Sequence, residues 1–118
     1  MAPGSEPMGM SSDRDHFRCG AVREGETAAV RAIGELDMEA APALAAEIAQ
    51  VRASGCRQVV IDLSELTFLD SSGLRCLLDC YHEARQNGHA LALIPGPPAV
   101  QRVFELTGTT EHLPFIVP

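Results

Sequence analysis

The stretch QVVIDLSELTFLDSSGLRCLL (58–78) constrains the fold more tightly than any other. Its opening, QVVIDL, is a short β-branched run of the kind a buried strand shows. From Leu74 onward the leucines recur at helical spacing. Between the two stands Asp70-Ser71-Ser72-Gly73, which is turn and N-cap sequence with Asp70 or Ser71 as the cap. A strand that passes into a helix this quickly sets the two in adjacent layers. The expected layout is a strand over 58–63, a loop over 64–72 and a helix over 73–86. That helix carries Leu74, Leu77, Leu78 and Tyr81 in one stripe and Arg75, Cys76, Asp79 and Glu83 on the other side.

The rest of the chain alternates in the same way. FRCGAV (17–22) and TAAVRAIG (27–34) read as strands joined through the turn REGE, and GELD (34–37) breaks the pattern. From Met38 to Ala53, Leu44, Ile48 and Val51 fall at i, i+4, i+7 in an Ala-rich background. Pro42 places that helix start near 39–42, and Gly55 is its stop. Asn87-Gly88 ends the second helix, HALALI (89–94) is a further strand, and PGPP turns the chain. Val100, Val103, Phe104 and Leu106 make a last amphipathic helix ending at Gly108, and FIVP closes as an extended segment. This alternation argues a single α/β domain with a largely parallel sheet packed with amphipathic helices. Residues 1–14, rich in Gly, Pro, Ser and Met, read as a disordered leader to a domain over 15–118.

Composition excludes several classes of function. A chain of 118 residues can bury a core without staples. The net charge is −7 and every basic side chain is Arg, so there is no basic stripe to neutralise phosphates. Five aromatic residues offer little for base stacking, and nucleic acid is not an expected partner. The acidity suits a basic protein partner, and it also serves solubility. Residues 1–15 hold no apolar run of signal type, and no stretch approaches the roughly 20 apolar residues of a membrane span. The expectation is a cytoplasmic protein in which Cys19, Cys56, Cys76 and Cys80 are reduced.

Signs of catalysis are few. Gly-x-Gly-x-x-Gly, Walker-type and Gly-x-Ser-x-Gly loops are all missing. Cys76 and Cys80 stand four apart on one helix, but His82 points away and no second ligand pair has suitable spacing for a metal. Cys80 reads as a core-edge thiol and Cys76 as a surface one. His16, His82, His89 and His112 are scattered surface or strand-end residues. Asp62, Glu65 and Asp70 form a solvated rim, a weak cation site or an acid/base pair, and Asp62 is placed to fix the loop by accepting from its amides. No enzyme activity and no cofactor is expected.

VVIDLSELTFLDSSGL (59–74) resembles the signature of the STAS domain family, in its branch of bacterial anti-sigma factor antagonists. GELD (34–37) with APAL (41–44), HALALIPGPPAVQRVFELTG (89–108) and HLPFIV (112–117) match in order, so the resemblance spans about 17–117. It implies a small mixed sheet with helices packed on it and no catalysis. It implies that the unphosphorylated protein binds an anti-sigma factor serine/threonine kinase and so releases the sigma factor. The kinase would phosphorylate Ser72, and a metal-dependent serine phosphatase would reset it. Ser71 would orient the loop or cap the helix, and Gly73 would keep the backbone beside the hydroxyl uncrowded for the kinase. Ser64, Asp70, Ser71, Ser72, Arg75, Cys76 and Asp79 are the expected contact residues. The alternative from the same family is a scaffold or transport-associated subunit without phospho-switching. Family members commonly continue past the last strand into another helix, which here is missing or supplied by a partner.

Overall fold

A computed structural model of the chain describes residues 12, 13 and 16–116. Among the described residues, five strands form one sheet in chain order: β1 (Ser12–Asp13), β2 (Phe17–Glu24), β3 (Thr27–Leu36), β4 (Gln58–Leu69) and β5 (Ala90–Ile94). The β1–β2 and β2–β3 pairs are antiparallel, whereas β3–β4 and β4–β5 are parallel. The sheet is therefore mixed, and parallel across the strands that carry the site. Ser12 and Asp13 fall within the expected leader 1–14, whose other residues lie outside the described ones.

One face of the sheet is the core. Ala28, Val59 and Leu91 stand side by side on β3, β4 and β5, as do Val30, Ile61 and Leu93, and all six are buried. Beyond this point the alternation changes phase. The register shifts between Arg31 and Ile33 and again between Gly34 and Glu35, so the buried positions of β4 run 59, 61, 63 and then 66, 69. These irregularities put extra residues into β4 against β3. Ser64–Leu69 is consequently strand, where a loop was expected, and β4 runs directly to the start of the next helix.

Three helices follow: α1 (Ala41–Ala53), α2 (Ser71–Gln86) and α3 (Pro98–Thr107), with a 3-10 turn at Thr110–His112. α1 and α2 pack against each other and against the sheet. α2 buries Gly73, Leu74, Cys76, Leu77, Cys80 and Ala84. The stripe is thus rotated from the expected one: Leu78 and Tyr81 are half-buried at its edge, and Cys76 is inside rather than on the surface. α3 buries Val100 and Phe104. Phe104 meets Phe115 edge-on at 5.0 Å, which holds the closing segment beside β5. Such a pair contributes about 0.5–1.5 kcal/mol beyond its buried area.

Candidate functional site

The junction after β4 is built on Asp70. Its backbone is extended (φ −110°, ψ −174°), and its Oδ1 accepts a hydrogen bond from the Gly73 N–H at 3.0 Å. Asp70 is therefore the N-cap of α2, and its own N–H donates to the Leu36 carbonyl at the end of β3. Ser71 and Ser72 are the first two residues of α2, which begins two residues before the expected position 73. Ser71 is exposed and Ser72 half-buried. Gly73 is buried, and a Cβ there would stand 2.5 Å from the Leu36 carbonyl oxygen and 2.7 Å from Leu69 Cδ1. Glycine at 73 lets the helix end seat on the sheet; it does not clear space around the hydroxyls.

Ser72 stands at the edge of a groove of about 360 Å³ between α1 and α2. Arg75, Cys76 and Asp79 continue its α2 wall; Met38, Pro42, Ala45 and Ala49 line the opposite side. Met38 is 73% exposed. Arg52 also lines the groove, from α1. Its Nη2 donates to the Cys80 carbonyl at 2.9 Å, Nη1 lies 3.5 Å from Glu83, and its buried Nε has no hydrogen-bond partner among the described residues.

Four of the seven expected contact residues, Ser72, Arg75, Cys76 and Asp79, thus meet on one groove wall, with Asp70 and Ser71 adjoining its head. Cys76 is buried and its Sγ donates to the Ala41 carbonyl at 3.5 Å, so its place is in the groove wall. Arg75 and Asp79 are exposed and pair at 3.6 Å. Ser64 does not join them. It lies six residues before Asp70 on β4, on the order of 20 Å away at strand rise, and its N–H donates to Asp62 Oδ1 at 2.9 Å. The α1 wall was not anticipated. Its sequence signal is the pair Ala45 and Ala49, small residues at i, i+4 that allow a neighbouring helix to approach.

The carboxylates of the region do not converge. Asp62 holds the Ser64 amide, Glu65 pairs with Arg31 from β3, and Asp70 caps α2. His16, Glu35 and Asp37 do come together, with donor atoms within 4.8 Å of one another. Asp37 is already engaged there: it accepts from the Ala40 N–H at 3.0 Å and pairs with His16 at 3.0 Å. The hydrogen bond to Asp37 raises the His16 pKa, while the Ala40 amide, then His16, lower that of Asp37. Within the groove, the hydrogen bond between the two thiols and burial hold Cys76 above the ordinary thiol range. The same bond, with the Arg52 charge, brings Cys80 down against its burial.

Comparison with known proteins gives a consistent set of relatives. A family model described as "Mlab, STAS domain" matches residues 19–118. An anti-sigma F factor antagonist from Paenibacillus polymyxa is 30% identical over 73% of this chain and 74% of its own length. Among solved structures, an anti-sigma factor antagonist from Mycobacterium paratuberculosis superposes with a TM-score of 0.76 at 32% identity, covering 88% of each chain. The anti-sigma factor antagonist SpoIIAA in its unphosphorylated form gives 0.70 at 25% identity, covering 86% of this chain and 87% of its own.

Proposed function

The chain belongs to the STAS domain family, and from that membership we propose that it is an anti-sigma factor antagonist switched by phosphorylation at Ser72. Unphosphorylated, it binds an anti-sigma factor that is also a serine/threonine kinase, and the sigma factor is released. The kinase transfers phosphate to Ser72 Oγ, and a metal-dependent serine phosphatase removes it. The protein catalyses nothing itself and works in the cytoplasm. Asp70, Ser71, Ser72, Arg75, Cys76 and Asp79 form or adjoin the contact surface; Ser64 contributes from its separate place on β4.

The observation that carries this reading is the position of Ser72, half-buried at the second residue of a capped helix and on the edge of a groove. Free N–H groups and the helix dipole favour negative charge there, so the fold tolerates the phosphate. Phosphate adds about −1.5 to −2 charges. Beside Asp70, in an interface fitted to a neutral hydroxyl, that charge repels and is costly to desolvate.

Two measurements test it. Intact-mass and peptide spectrometry of protein from its native cells should find one phosphate on Ser72, removable by phosphatase. Ser72→Ala should then hold the kinase persistently and Ser72→Asp at least about tenfold more weakly, since like charges across an interface cost several kcal/mol. Equal affinities would remove the switch. Serine unmodified under every growth condition, with permanent assembly, would favour the scaffold reading.

A further inference from the structure

Cys76 and Cys80 lie one helical turn apart on α2, and both line the groove. Nothing in the phosphorylation chemistry uses either thiol. Cys76 Sγ donates to the Ala41 carbonyl at 3.5 Å. Arg52 approaches the same turn from α1 and donates to the Cys80 carbonyl. The charged groups around the pair are Arg52 from α1, and Asp79 and Glu83 from α2. Arg52 has a side chain only 9% exposed, against 68% for Asp79 and 65% for Glu83. Its positive charge is therefore the least screened of the three. A guanidinium so placed disfavours a bound cation and favours a thiolate.

We infer that Cys76 and Cys80 are a site of reversible oxidation, at which a hydroperoxide entering by the groove converts the two thiols to a disulfide. The Cys80 thiolate attacks one peroxide oxygen; the S–O bond forms as the O–O bond breaks, and the leaving hydroxide (or alkoxide) takes up a proton. The Cys76 sulfur, losing its proton, attacks the Cys80 sulfenic acid, and the S–S bond forms as the S–O bond breaks and water leaves. The dithiol is oxidised by two electrons and the peroxide is reduced. Residues four apart on a helix have Cα atoms about 6 Å apart, within the range a disulfide spans. Their Cβ atoms stand about 5–6 Å apart where a disulfide needs about 3.5–4.5 Å. Closure therefore draws in one turn of α2, in the wall that also carries Ser72.

The test is a timed reaction of the reduced full-length protein with hydrogen peroxide, followed by differential alkylation and peptide mass spectrometry. Cleavage at Arg75 and Arg85 releases both thiols on one peptide. Cys19 and Cys56, buried and away from the groove, are the internal controls. The Cys76–Cys80 peptide should lose a pair of hydrogens several-fold faster than either control oxidises, because the thiolate and not the thiol attacks peroxide. In Cys76→Ser, the disulfide should be replaced by a sulfenic acid at Cys80 that a 1,3-diketone traps. Oxidation of Cys80 no faster than the controls, or no trapped sulfenic acid in that variant, would overturn the inference. The readout is on the thiols alone, so it stands or falls separately from phosphorylation at Ser72.

Discussion

Gly73 has the least side chain in the Asp-Ser-Ser-Gly junction, and the position of both serines rests on it. The contacts a Cβ would make are with backbone and branched carbon: the Leu36 carbonyl at 2.5 Å, Leu69 Cδ1 at 2.7 Å and Leu36 Cγ at 2.9 Å. Leu69 Cδ1 is a terminal methyl that can turn aside, but the Leu36 carbonyl is backbone and cannot, so the helix end itself must lift. Gly73→Ala should cost about 1–3 kcal/mol, the usual range for overpacking a core, seen as a lower denaturant midpoint at unchanged slope. Binding to the proposed kinase partner should fall with it because Ser72 moves. An unchanged midpoint would show that the junction has slack. The four residues were readable from sequence as a cap, since an acid three residues before an amide is local chemistry. The tertiary reason for the glycine was not, because Leu36 approaches from 37 positions away.

Among the elements, α1 is held at its start by a pair that titrates. Asp37 accepts from the Ala40 N–H and pairs with His16, which stands just before β2. A raised His16 pKa stabilises the fold fully below the ordinary 6.5, and that contribution is lost as pH rises through the higher folded value. A lowered Asp37 pKa stabilises fully above 3.8, and that contribution is lost as pH falls through the lower folded value. The two overlap between 3.8 and 6.5. The deficit in melting temperature of His16→Ala should be larger near about pH 5 than near about pH 8; a deficit independent of pH would contradict the pairing. How well each element could be foreseen follows from its periodicity. α1 and β5 keep one period throughout and were legible. β4 changes phase at its irregularities, so Ser64–Leu69 passed for loop. On α2 Leu74 and Leu77 are buried as their spacing predicts, and Gly73, Cys76, Cys80 and Ala84, which the leucine spacing does not mark, are buried beside them.

At the scale of the molecule, the groove exists because α1 and α2 come from separate stretches and settle side by side on one sheet. Neither helix's own periodicity encodes which face meets the other, so Ser72, Arg75 and Asp79 were foreseen on α2 while Met38 and Arg52 were not. The chain carries a net charge of −7, and the proposed phosphorylation of Ser72 would add to it. The global field thus opposes the change that the local helix end favours. A negative group within the first turn contributes about 0.3–1 kcal/mol, and the effect falls off within that turn. The global repulsion is spread over the surface and screened by salt. The local effect wins, and Arg75, three residues on, adds to it against Asp70. Ser72→Asp should therefore raise the melting temperature by about 1–5 °C, while it weakens binding to the kinase. Thermal unfolding at low and at moderate salt reads this, and the rise should shrink as salt is added. A fall in melting temperature would mean instead that repulsion from Asp70 dominates the helix end, and that part of any lost binding comes from a loosened junction.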